Sequence, residues 1–196
     1  MTFTRQLINA SPWVRKPKLV FAEGCSSSKD MLWASANEFD EEWKKRIRLM
    51  ASFIDTPGVV ADFGCGLMWL EQFLPVQNSY LPIDYIQRDH RTIVLDFNKD
   101  PLPQMTIDVA FFSGSLEYVE NVQEFLGKIM ELGVKQVILS YCTFERFGLK
   151  KARRKLNWVS DLSIFELLSF FCPRYTLTHV ADVNQNTILV FKLKLP

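Results

Sequence analysis

The stretch Val59–Leu70, "VVADFGCGLMWL", decides how the rest of the chain is read. Apolar and small residues lead up to an acid, Asp62. Phe63, Gly64, Cys65 and Gly66 follow, and then an apolar run suited to a helix. Strand, glycine turn and helix in that order form the junction where open parallel sheets bind ligands, beyond the carboxyl ends of their strands. Glycine lets the backbone turn tightly and approach a ligand with no Cβ in the way. The helix start supplies N–H groups without intrahelical partners. The bland alternative is a strand, a turn and a helix whose glycines serve the turn alone. Two phosphate-binding patterns are excluded. Trp69 holds the third position of a dinucleotide-type Gly-x-Gly-x-x-Gly run, and no Gly-Lys-Ser/Thr follows. Asp62 would repel a pyrophosphate but suits an ammonium group. The turn therefore points to a nucleoside with an amino-acid tail.

Outward from this turn, strand and helix patterns alternate. Upstream, "FDEEWKKRIRLMASFI" from Phe39 places Trp43, Ile47, Met50 and Ile54 at helical spacing. Asp40 and two glutamates suit its N-terminus, and Pro57 with Gly58 stops it. Downstream, "LMWLEQFL" reads as a short helix, and "SYLPID", "TIVLD" and "DVAFF" as strands. "NVQEFLGKIMEL" is a helix closed by Gly133, "VKQVILSYC" a strand, and "SDLSIFELLSFF" a capped helix. "YTLTHVADV" and "NTILVFKLK" form a closing hairpin around a polar "NQN". The expected fold is α/β: a three-layer, Rossmann-like sandwich with a seven-stranded, mostly parallel sheet and an antiparallel hairpin strand at its C-terminal end. Pro82 inside the second strand is an objection, because it removes a ladder donor. Residues 1–38, with Pro12, Pro17, Gly24 and "CSSSKD", read as an irregular arm, and residues 39–196 as a single globular domain.

Composition narrows the setting. The 196 residues are 48% hydrophobic and 23% charged, with a net charge of +1. No global field argues for nucleic acid or acidic lipid. No apolar run approaches the roughly 18 residues of a membrane helix, and "MTFTRQLINASPWVRKPK" lacks the apolar centre of a secretory signal. Cys25, Cys65, Cys142 and Cys172 make no CxxC pair and read as reduced thiols in a cytoplasmic protein. With only His90 and His179, a dedicated zinc site is not expected.

"DFGCG" resembles the first motif of the class I S-adenosylmethionine-dependent methyltransferases, acid-x-Gly-x-Gly. Later landmarks fall in order: Asp84 ends the second strand, Asp96 the third, and "DVAFFSGSLEYVEN" resembles the family's fourth-strand pattern with its Leu-Glu-His. The resemblance spans about Phe39 to Lys194 and implies S-adenosylmethionine as cofactor. It implies that Asp62, Phe63, Gly64, Cys65 and Gly66 face the methionine part. Asp84, with Tyr85 beside it, would accept the ribose hydroxyls. Asp96 and the Phe97 backbone would take the adenine edge, and Ser113 and Gly114 would run beneath the sulfonium. Asp84 and Asp96 also read as caps or turn formers, and Ser113 as a solvated loop residue. Asp84→Ala is expected to weaken the cofactor while leaving folding largely intact. Two departures stand out: Met68 where many members have a third glycine, and Tyr118 where the pattern has histidine. Met68 and Trp69 read as core.

Methyl transfer needs alignment and exclusion of water more than a side-chain nucleophile. Tyr118 is the catalytic candidate, orienting the acceptor or packing. Glu117, His179 and Glu145 are bases by residue type only. The expected acceptor is a small molecule such as a sugar, a glycan precursor or another natural product. The segment "TFERFGLKKARRKLNWVSD" carries Arg146, Lys150, Lys151, Arg153, Arg154 and Lys155. It reads as a solvated helix or as a clamp over an anionic acceptor. Nucleic acid is the weaker partner, given one basic cluster and a net charge of +1. The alternative is a non-catalytic relative serving as a cofactor-binding or assembly module.

Overall fold

Asp40 starts the first helix. Its carboxylate accepts the Glu42 N–H at 2.9 Å, and α1 (Glu41–Ala51) follows with acids in its first turn. The structure is a computed structural model that describes residues 39–195. The arm expected over residues 1–38, and Cys25 within it, lie outside the described residues.

The strands are β1 (Gly58–Phe63), β2 (Asn78–Asp84), β3 (Ile93–Val94), β4 (Val109–Ser113), β5 (Gln136–Tyr141), β6 (Tyr175–Val183) and β7 (Asn186–Leu193). Among the described residues they form one sheet in the order β3-β2-β1-β4-β5-β7-β6. The first five pair in parallel, and β7 lies antiparallel to both β5 and β6. This is the expected sheet with its antiparallel hairpin.

Period-two alternation sorts the strands into two cores. Val60, Val109, Phe111, Ile138 and Val190 face α1 with Met50, Ala51 and Ile54. Ala61, Phe63, Ala110, Phe112, Val137 and Leu139 face the other way, against α2 (Val122–Glu131) and α4 (Ile164–Phe171). Phe63 stacks on Phe112 at 4.8 Å there, with Phe125 edge-on to both. Helices thus cover both faces, giving three layers.

Pro82 sits in β2 without loss. The Ile83 carbonyl accepts the Gly64 and Cys65 N–H groups, so odd-numbered residues of β2 bond toward β1. Pro82 therefore turns its missing donor toward β3, which pairs only with Ile83 and Asp84. The helix expected over residues 67–74 is instead a five-residue 3-10 turn, Trp69–Phe73. Met68 before it takes φ +58, and Pro75 ends the run. So short a turn is not the helix N-terminus expected after the glycines.

Candidate functional site

The strand order reverses between β1 and β4, which is where open parallel sheets bind ligands beyond the carboxyl ends of their strands. Gly64 to Gly66 leave β1, Asp84 ends β2, and Ser113 ends β4 with Gly114 directly after it. The fold brings these expected residues to one sheet edge.

The glycines are required, but by the chain itself. Gly64, Gly66 and Gly114 have φ of +85, +50 and +71. A Cβ on Gly64 would lie 2.6 Å from the Ser115 Cβ, and one on Gly66 would lie 2.5 Å from the Phe39 ring. Ser115 also donates its hydroxyl to the Phe63 carbonyl at 2.6 Å, tying the two crossing loops together. Phe39 covers the Gly66 turn and meets Trp69 edge-on. Close approach is thus real, and the approaching groups are Ser115 and Phe39.

Asp84 departs most from expectation. It is buried, and both of its oxygens are engaged. Oδ2 accepts the Gly66 N–H at 2.9 Å and Arg88 Nε at 3.1 Å, while Oδ1 accepts the Ile86 N–H at 3.1 Å and Arg88 Nη2 at 3.4 Å. The Arg88 guanidinium also lies over the Phe39 ring, 5.5 Å from its centroid. In this state the ion pair fills the acceptor positions that a ribose would use. Tyr85 beside it is exposed.

Asp62 is buried on the α1 side and accepts the Tyr80 hydroxyl at 2.8 Å. Burial pushes its carboxyl up to about 7, against the pull of the Tyr80 hydrogen bond. Burial also raises the Cys65 thiol, with Asp62 and Asp84 adding to the shift. Asp96 lies beyond the short β3 in a turn, not at a strand end. Its carboxylate accepts the Asn98 N–H and pairs with Lys99, the turn-forming role. Phe97 packs its ring against Phe63 and Phe125.

Past β4, a 3-10 turn (Leu116–Tyr118) holds Glu117 and Tyr118. The Tyr118 hydroxyl accepts Trp158 Nε1 at 3.3 Å. Glu117 is wholly buried. Its Oε1 accepts the Cys142 N–H at 2.8 Å, its Oε2 has no partner, and burial raises its pKa. The other bases read from residue type fall away. Glu145 accepts the Ile164 N–H at the start of α4, and His179 lies exposed on the edge strand β6 against Phe53.

The basic segment divides. Arg153 is fully buried. It donates to the Cys142 and Ser160 carbonyls and the Tyr141 hydroxyl, and pairs with Asp161. Arg154 also pairs with Asp161, and Arg146 with Asp182. Lys150, Lys151 and Lys155 on the short α3 (Lys150–Lys155) are exposed. Arg153 is therefore neither solvated nor part of a clamp. Sequence reasoning also missed Arg46. This α1 residue reads as one more charge on a surface helix, yet it is 8% exposed and hydrogen-bonds to Ser113. Among the described residues no group of His, Cys, Asp and Glu side chains could hold a metal ion.

The same sheet recurs in solved structures. A chain from the complex of the Haloferax volcanii Trm112 methyltransferase activator with a methyltransferase superposes with a TM-score of 0.67 at 12% identity, over 87% of this chain and 99% of that one. The fold is that of the class I S-adenosylmethionine-dependent methyltransferases. The N-methyltransferase NodS from Bradyrhizobium japonicum, solved with S-adenosylhomocysteine, shares this methyltransferase fold with a TM-score of 0.57 at 11% identity, over 85% and 93% of the two chains. NcsB1, an O-methyltransferase from neocarzinostatin biosynthesis solved with S-adenosylmethionine and a naphthoic acid, gives 0.58 at 16%, over 85% and 60%. No protein-family model and no curated protein sequence matches the chain.

Proposed function

We propose that this protein is an S-adenosylmethionine-dependent methyltransferase acting on a small-molecule acceptor. The observation that carries the reading is what the fold gathers at the strand-order reversal. There an acid-x-Gly-x-Gly turn, a second acid clamped to its Gly66 N–H, and the Ser113–Gly114 turn meet at one edge. When bound, the cofactor supplies a methyl group on a sulfonium, already activated for in-line displacement. The Gly64–Gly66 backbone would hold its methionine part, Asp96 and the Phe97 backbone its adenine, and Ser113 and Gly114 would run beneath the sulfonium. Asp84 takes the ribose hydroxyls only after releasing Arg88, so binding includes the exchange of an ion pair for two hydroxyl donors. Tyr118, held by Trp158, serves to orient the acceptor. No helix of the described residues is long and apolar enough to cross a membrane. Free thiols at Cys65, Cys142 and Cys172 support a cytoplasmic setting.

Calorimetry with S-adenosylhomocysteine tests this. One site per chain is expected, and folded protein that fails to bind at millimolar ligand refutes it. The second reading is a relative that keeps the sheet but not the chemistry. It draws on the Arg88–Asp84 pair and on Tyr118 in the histidine position. Turnover of any acceptor in a chemically varied panel, followed by mass spectrometry, decides between the two.

A further inference from the structure

The segment after β5 spends its arginines and keeps its lysines. Arg153 and Arg154 pair with Asp161, and Arg146 with Asp182. Lys150, Lys151 and Lys155 are exposed, and among the described residues none of their side chains has an ion pair or a hydrogen bond. Lys150 leans over the Phe144 ring, its Nζ 6.0 Å from the centroid. The three lysines border a hollow of about 350 Å³. Leu149 and Ala152 give it an apolar wall, and no acid lines it.

Local forces oppose this arrangement. The helix α3 has six residues, and Leu149 before it offers no side-chain cap. Lysines fill its first two positions, where the helix dipole favours acids. Lys151 and Lys155 are four residues apart, a spacing at which like charges repel. The helix stands because Arg153 is buried and tied to the Cys142 and Ser160 carbonyls. Local rules broken at neighbouring positions, with a buried tie holding the result in place, mark a functional surface. An anion held by the lysine side chains relieves their mutual repulsion.

The hollow is fastened to the turn after β4. Trp158, three residues past Lys155, donates its Nε1 hydrogen to the Tyr118 hydroxyl at 3.3 Å. The Arg153 guanidinium lies over the Trp158 ring, 5.0 Å from its centroid. The Val159 N–H donates to the Glu117 carbonyl at 2.8 Å. The lysine helix thus stands beside Tyr118.

We propose that Lys150, Lys151 and Lys155 bind a phosphate group of the methyl acceptor. The acceptor role rests on the methyltransferase reading, and the anion site by itself does not. Three mobile point charges suit a dianion, whereas a carboxylate is matched by the planar fork of arginine, and the arginines of this segment are engaged. A small phosphate ester fits better than nucleic acid. Three cations on one short helix, in a chain of net charge +1, are too few to follow a run of backbone phosphates.

The experiment titrates inorganic phosphate into the full chain, labelled with nitrogen-15, at constant ionic strength so that general screening is fixed. Saturable shifts of the amides of residues 148–155 are expected. The triple variant Lys150→Gln, Lys151→Gln, Lys155→Gln should bind phosphate about tenfold more weakly or worse. The three positions are exposed, so the variant should fold, and circular dichroism checks it. Calorimetry with S-adenosylhomocysteine should give equal affinities for the two proteins. Shifts no larger than chloride produces, or phosphate affinity unchanged in the variant, overturn the proposal. A parallel loss of S-adenosylhomocysteine overturns it too, because the lysines would then serve the cofactor. An RNA of about twelve nucleotides bound far more tightly than phosphate, with shifts spreading well beyond residues 148–155, replaces it with a nucleic-acid surface. A wild-type chain that binds phosphate at the lysines but not S-adenosylhomocysteine removes the methyltransferase reading, and with it the acceptor role, while the anion site stands.

Discussion

At Asp84 the carboxylate accepts two backbone N–H groups and two donors from Arg88, all in a buried position. Removing one partner of a buried pair leaves the other charge uncompensated, which costs about 3–5 kcal/mol. Asp84→Ala should therefore lower stability by about 3 kcal/mol in urea titration, as well as weakening any adenosyl ligand. A stability change under about 1 kcal/mol would mean that Arg88 is held elsewhere. This revises the expectation that folding would be little affected, because the residue at the end of β2 also anchors the Gly66 turn. Met68 gives a second test. With φ +58 it adopts a conformation costing a side-chain-bearing residue about 1–2 kcal/mol. Met68→Gly relieves that but loosens the unfolded chain by about 0.5–1 kcal/mol. A net gain of up to about 1 kcal/mol is expected, read as a higher urea midpoint at unchanged slope. A clear loss would show that the Met68 side chain contributes packing that outweighs its strain.

Among the elements, α4 is held at its start by a reciprocal pair: the Ser163 hydroxyl accepts the Glu166 N–H, and the Glu166 carboxylate accepts the Ser163 N–H. Ser163→Ala should cost about 1 kcal/mol. A neutral result would place the stability of α4 in Leu167 and Phe171, which it buries against the sheet. The segment after β5 makes a larger wager. Arg153 joins α3 to the Cys142 and Ser160 backbone and to Asp161. Arg153→Met should destabilise the protein by about 3 kcal/mol. Lys151→Met on the same short helix is exposed and should change stability by less than about 0.5 kcal/mol. Equal effects from the two would return the segment to a plain solvated helix. Only packing sets this difference, since both positions read alike in "KKARRK".

For the whole molecule, pH dependence follows from Asp62. Its folded pKa of about 7 lies above the ordinary 3.8, so between those values the folded state binds the extra proton. Stability then falls as pH rises through that window and levels off above it. At one pKa unit per 1.36 kcal/mol, the upper limit is about 4 kcal/mol. Asp62→Asn keeps a carbonyl to accept from Tyr80 and removes the titration. Its stability should change less than that of wild type between pH 5 and pH 8 in parallel denaturant titrations at each pH, values bracketing the upper part of the window. Identical slopes would put the Asp62 pKa in the ordinary carboxylate range. Glu117, raised by burial, contributes in the same direction in both proteins and cancels in the comparison.

Local pattern and propensity determined the architecture from sequence alone. β1, β4 and β5 read as short apolar runs, the pattern of parallel strands covered on both faces. The glycines after Phe63 marked the turn, and the polar "NQN" marked the hairpin. Asp62 and Asp84 reached the predicted edge for the same reason: a residue ending a parallel strand next to a turn has only one place to be. What the acids and cations do there was decided by tertiary structure. Asp84 reads as a free acceptor until Arg88 closes on it, and Asp96 as the end of a strand until a truncated β3 leaves it in a turn. Arg46 and Ser113 are 67 residues apart, and Glu117 and Cys142 are 25 apart. No periodicity encodes such pairings, because they depend on which strands become neighbours and how far a side chain reaches. Arg153 passes from surface charge to buried tie for that reason. Burial, and hence the charge state and reach of each polar group, belongs to the folded whole.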